Sequence, residues 1–173
     1  MLRVAAHGLT DEQARRPASA SSRTIGGLIK HVAATEDSWV DTMLGQGGPF
    51  DPNDVSDYME AFTLHPDETL AGMLARYDEA AKRTESVVAG IADLGQPVPV
   101  PKGVPWFPDD LDAWSVRWVL LHLIQETARH AGHADIVRES VDGGTAMPLM
   151  AAVEGWPATP WILPWEPNAE PAP

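Results

Sequence analysis

From Ser115 to Gly143 the chain runs without a proline, and its apolar residues return at helical spacing. Val119, Leu120, Leu123, Ile124, Thr127, Ala131 and Ala134 leave little of the circumference polar, so the stretch reads as a helix buried in a bundle. Ser115 is its predicted N-cap and Gly143-Gly144 its stop. Through this surface runs one polar stripe: His122, Glu126, His130 and His133. At ~100° per residue the four fall within about 40° of Glu126, and Glu126 and His130 stand ~6 Å apart along the axis. A carboxylate on an apolar helix is costly to ionise. A divalent cation removes that cost and favours deprotonated ligands.

The rest of the chain also reads as helices with turn-rich connections. Thr10-Asp11-Glu12-Gln13 is a capping-box pattern, predicting a short helix to Arg16 that Pro17 ends. Ala18 to Arg23 is a small, polar connection. A second helix starts near Thr24 and stops before Gly45, with Ile25, Leu28, Val32, Trp39 and Met43 on its apolar face. Gly47, Gly48, Pro49 and Pro52 mark a loop. The third helix is predicted from Pro66 to Ile91, because Pro66, Asp67 and Glu68 suit a first turn. Residues 95–113 form a loop with five prolines between Pro97 and Pro108. From Pro148 onward lie seven of the sixteen prolines, together with Trp156, Trp161 and Trp165. Proline blocks regular structure while indoles call for burial, so this part reads as an irregular arm laid on the bundle. The fold class is therefore all-α, one four-helix bundle domain over residues 1–165, with a loose Pro-rich tail over 166–173.

Composition removes several function classes. With no cysteine there is no disulfide, thiolate metal site or cysteine nucleophile. A formal charge of −13 repels phosphate backbones, so nucleic acid and anionic membrane are poor partners. No apolar run reaches the ~18–20 residues of a membrane span, and MLRVAAHGLTDEQ does not read as a signal peptide, which leaves the cytoplasm as the expected compartment.

Glu126 and His130 make half a metal site. The third ligand has to come from another helix, and His31 is the best candidate, set among Leu28, Val32 and Thr35. Two histidines and one carboxylate leave coordination positions open for water or substrate. Other readings stand beside this one. A core histidine is more often simply hydrogen-bonded, and the stripe also suits a solvated groove or the seam of a homodimer. His133 is a candidate base or hydrogen-bond partner near the site; like His122 it could equally satisfy backbone or face a cleft. Trp39 and Trp118 read as core or pocket wall. Arg129 and Arg138 read as surface ion pairs or as contacts for an anionic group of a ligand. His7 and His65 carry no signal.

TIGGLIKHVAATEDSWV (24–40) and WSVRWVLLHLIQETARHAGHADIVRESVDGGTA (114–146) resemble the DinB-like (DinB/YfiT-like) metal-binding bundle superfamily. Within it the chain is most similar to an actinobacterial domain-of-unknown-function branch related to mycothiol-dependent maleylpyruvate isomerase. The resemblance covers almost the whole chain, including AAVEGWPATPWILPW. It implies a bundle with a metal under its mouth. The superfamily commonly uses three histidines, and the isomerase branch replaces one with glutamate. Carried onto this sequence, the ligands are His31 in GGLIKH and Glu126 and His130 in ETARHAGH. Two departures are expected: only MLRVAAH precedes the segment matching GLTDEQARR, so the family's long first helix reads as truncated or its start as misassigned, and the isomerase's second domain finds no match in these residues.

The resemblance implies a divalent metal as cofactor, zinc first, with nickel, iron and manganese as alternatives. It also implies a metal-dependent enzyme that activates a low-molecular-weight thiol, in an S-transferase or isomerase reaction of the mycothiol type. The thiol would be a diffusible cosubstrate. The competing readings are a metal-dependent hydrolase with His133 as general base, a non-catalytic metal-binding stress-response module, and a structural protein with a dimer seam.

Overall fold

The computed structural model describes residues 2–48 and 56–167. Its elements in chain order are α1 (Leu2–Ala5), α2 (Asp11–Arg15), α3 (Ile25–Met43), α4 (Ser56–Glu60), α5 (Leu70–Ala89), β1 (Pro97–Pro99), β2 (Ala113–Ser115), α6 (Val116–Asp142) and α7 (Ala146–Glu154). About half the chain is helical (55%) and the sheet found among the described residues has two short strands, which settles the class as mainly α. No described helix is long and apolar enough to cross a membrane. The predicted loop residues Pro49 and Pro52, and residues 168–173 of the predicted tail, lie outside the described residues.

The long helices begin where a side chain can satisfy an orphan N–H. The hydroxyls of Thr24, Thr69 and Ser115 accept from the backbone N–H of Gly27, Gly72 and Trp118. Thr10 and Gln13 form the predicted capping box of α2. Gly143 ends α6 at φ 78°, a left-handed turn that glycine adopts without a Cβ penalty. Helix α3 is the centre: it packs against both α5 and α6, and α1 and α2 also touch it. Two apolar clusters result. One gathers Ile25, Leu28, Ile29 and Val32 with Ala131, Ala134 and Val137. The other gathers Trp39, Val40 and Met43 with Trp114, Val116 and Val119. The Glu126–His130 turn lies along α6 between these clusters, and on α3 His31 stands at the end of the first one, next to Val32.

Several expectations change. The third long helix starts at Leu70 and not at Pro66, because the Glu68 carboxylate is taken by the backbone N–H of His65 and by Lys30. The proline-rich loop contains the antiparallel pair β1–β2, in register Val98↔Trp114. The arm after Gly144 is not wholly irregular: α7 runs through Pro148, which sits in its first turn, where a missing N–H costs nothing. Trp165 packs on the fold, its backbone N–H donating to the Pro148 carbonyl at 2.9 Å, but Trp161 is 90% exposed, against the expected burial of the indoles. Helix α6 is also less buried than its composition predicts. Leu121 and Ile124 are 59% and 65% exposed, while Glu126 and His130 are only partly exposed. The polar stripe is turned inward and part of the apolar surface outward, the reverse of an ordinary amphipathic helix.

Candidate metal centre

The two glycines of GGLIKH explain how α3 builds the site. A Cβ on Gly26 would run into Leu64, and one on Gly27 into the Phe62 carbonyl. Their absence lets the segment after α4 lie directly on α3. Lys30, nearly buried, fastens that segment: its ammonium donates to the Thr63 carbonyl at 2.9 Å and to Glu68 at 2.9 Å. Phe62 is thereby held face to face with His31, ring centroids 3.8 Å apart and planes within 16°.

His31, Glu126 and His130 converge. One ligand atom from each lies within 4.8 Å of the others. His130 Nε2 is 3.5 Å from Glu126 Oε2, and the His31 and His130 rings meet edge-on at 4.8 Å. Ligand bonds of ~2.0–2.2 Å hold donor atoms no more than about 4.4 Å apart, so small side-chain movements suffice to close the set on one ion. The His130 Nδ1 is buried and has no hydrogen-bond partner. A buried polar atom without a partner is costly, and a cation is one way to satisfy this ring. The donor set fits a divalent metal ion with positions left for a ligand.

Both imidazoles are biased toward the neutral form that ligates. Burial pushes His31 down to about 4, with further lowering from the nearby His130 and Arg23. His130 is lowered chiefly by burial; Glu126 opposes this, while His133, Arg129 and Arg23 add to it. Thr35, one turn beyond His31 on α3, has its hydroxyl 3.4 Å from His31 Nε2.

The other stripe residues separate into different surroundings. His133 is half-buried and acts on His130 through its charge, but it is not in the converging set. His122 belongs to an aromatic column: Trp114 stacks on Trp118 at 4.2 Å, Trp118 on His122 at 5.2 Å, and Trp39 meets His122 edge-on at 4.9 Å. Trp39 is core, as expected, whereas Trp118 is exposed at 36% and forms the outer part of the column. Arg129 is exposed. Arg138 is neither a surface ion pair nor a ligand contact. It is fully buried, bonded to Asp142 at 2.7 Å and donating to the carbonyls of Ala5 and His7 at 2.8 and 2.7 Å. Its guanidinium also lies over the Trp165 ring. His7 therefore serves as a backbone acceptor and as an edge against Trp165.

Sequence reasoning missed Phe62 and Arg23. Phe62 follows a short helix with no periodic pattern, and Arg23 looks like part of a polar connection. The available signal was the Gly26-Gly27 pair, which announces that something approaches the helix just before its histidine.

Comparison with known proteins bears on the same residues. No curated protein and no solved structure gives a match. The mycothiol-S-transferase family model matches residues 1–143, a span that holds all three converging side chains. The chain belongs to the mycothiol-S-transferase family, within the DinB-like, mycothiol-related group.

Proposed function

We propose that the protein is a metal-dependent S-transferase that uses a low-molecular-weight thiol of the mycothiol type. The observation that carries this reading is the convergence of His31, Glu126 and His130 in a chain of that family. Zinc is the first choice of ion, since two imidazoles and one carboxylate leave a fourth position in its tetrahedral shell. The bound ion would supply a Lewis acid that lowers a thiol's pKa. The four helices of a DinB-like bundle are then α1, α3, α5 and α6, with α3 central, and residues 1–165 form the domain.

The residues divide the work. His31 and His130 present neutral nitrogens, and Glu126 brings the compensating charge. Thr35 steadies the His31 ring from one side and Phe62 covers it from the other. His133, one turn from His130, takes the proton released by the thiol. With no cysteine in the chain, the nucleophilic sulfur comes from the diffusible thiol.

The test is a titration of cobalt-substituted protein with small thiols. A thiolate-to-cobalt charge-transfer band is expected at saturating thiol in wild type and lost in Glu126→Gln. No band with any thiol, in protein shown to hold cobalt, overturns the thiol reading.

A further inference from the structure

The segment just before α3 places a cation beside this centre. Arg23 lies over the face of Phe62 with its guanidinium carbon 3.5 Å from the ring centroid. The other face of Phe62 carries His31 at 3.8 Å. The guanidinium is therefore stacked in one orientation, two ring spacings from His31, by a contact that leaves its N–H edges free. Of the other arginines, Arg15 and Arg16 donate to backbone carbonyls, Arg83 spans Asp37 and Asp41, and Arg138 is buried in its own network, while Arg76, Arg117 and Arg129 point from exposed helix positions and none of them stacks on a ring at the centre. The Arg23 side chain has no ion pair or hydrogen bond among the described residues, although acids outnumber bases by 25 to 12 in the chain. Two neutral imidazoles and one carboxylate around a divalent ion leave a net positive centre. Arg23 adds to that charge, and its positive field reaches both His31 and His130.

We propose that Arg23 is the anchor for a carboxylate on the ligand of this centre, so that the site selects an anionic substrate. This rests on the metal reading above. Guanidinium–carboxylate pairing is directional and charge-assisted, which suits recognition next to a metal. The carboxylate can sit on the thiol or on the acceptor, and the two sources are separable.

The experiment uses cobalt-loaded full-length protein and three probes: 3-mercaptopropionate, 1-propanethiol and succinate. Expected is that 3-mercaptopropionate binds about tenfold more tightly than propanethiol, read from the charge-transfer band. Arg23→Gln removes most of that preference and moves propanethiol much less; Arg23→Lys keeps part of it. Should the thiols show no preference, an Arg23-dependent shift of the cobalt d–d bands by succinate in the propanethiol-loaded protein assigns the carboxylate to the acceptor. If no thiol gives a band, the thiol reading fails by itself, and the succinate shift in wild type, lost in Arg23→Gln, still supports the anchor. Equal responses of wild type and Arg23→Gln in every arm, with equal cobalt content and melting temperature, overturn it.

Discussion

Gly27 has no side chain because the Phe62 carbonyl occupies the place where one would project. Gly27→Ala therefore forces backbone against backbone. The expected loss is about 1–3 kcal/mol, the usual range for overpacking, read from urea denaturation. Because the displaced segment carries Phe62, the variant should also hold metal more weakly than its stability loss alone explains. Stability unchanged in Gly27→Ala would contradict the close approach. His31 gives a pH signature in metal-free protein. Its pKa is about 4 in the folded chain against 6.5 when unfolded, so between these values the unfolded state binds more protons. The stability of chelator-treated protein should fall as pH drops from 6.5 toward 4, with His130 contributing in the same direction. His31→Ala should flatten that slope; an identical slope in the variant would mean the ring is not buried and neutral.

Helix α6 shows which features a local reading reaches. Its cap Ser115 and stop Gly143 are local chemistry and stand where predicted, and the same holds for Thr10 and Thr24. Ser115→Ala should cost about 1 kcal/mol, as loss of an N-cap does, with little change in metal content. Features that depend on distant partners are not legible in this way. Arg138 reads as a surface cation, yet its acceptors at Ala5 and His7 are 133 and 131 residues away. It joins α6 to α1 and to the arm through Trp165. Arg138→Ala leaves Asp142 and two carbonyls without their donor and should cost about 3–5 kcal/mol in denaturant melts, the scale of a broken buried pair. A cost of a few tenths would return Arg138 to the surface. The start of α5 departs from the local rules for a related reason. Pro66-Asp67-Glu68 fits a first turn by local rules, but Lys30 on α3 claims the Glu68 carboxylate. Proline at 148 reads as a breaker by local rules, although the first turn of α7 tolerates it.

At the scale of the whole molecule, His31, Glu126 and His130 were legible from two motifs far apart in sequence. Polar residues on apolar helices need a reason, and a shared ion supplies one. What lay beyond reach was the cover of the centre. Phe62 sits over His31, with Arg23 on its other face, because two glycines, Lys30 and Glu68 dock the segment that carries Phe62 onto α3. On the metal reading, His31 of α3 and Glu126 and His130 of α6 share one ion. Glu126→Gln keeps size and removes the charge, so it separates a ligand from an unpaired buried acid, which the neutral amide would relieve. The most direct measurement is metal content and thermal melting of wild type and Glu126→Gln, purified without a histidine tag, with and without chelator. Ligand binding stabilises by RT ln(1 + [L]/Kd), so each tenfold loss of metal affinity removes about 1.4 kcal/mol at saturating metal. Expected are stoichiometric metal in wild type, a melting temperature that chelator lowers, and a variant that melts lower in metal buffer and ignores chelator. Wild type with no metal and no response to chelator, alongside a Glu126→Gln variant that melts higher, would contradict the metal assignment.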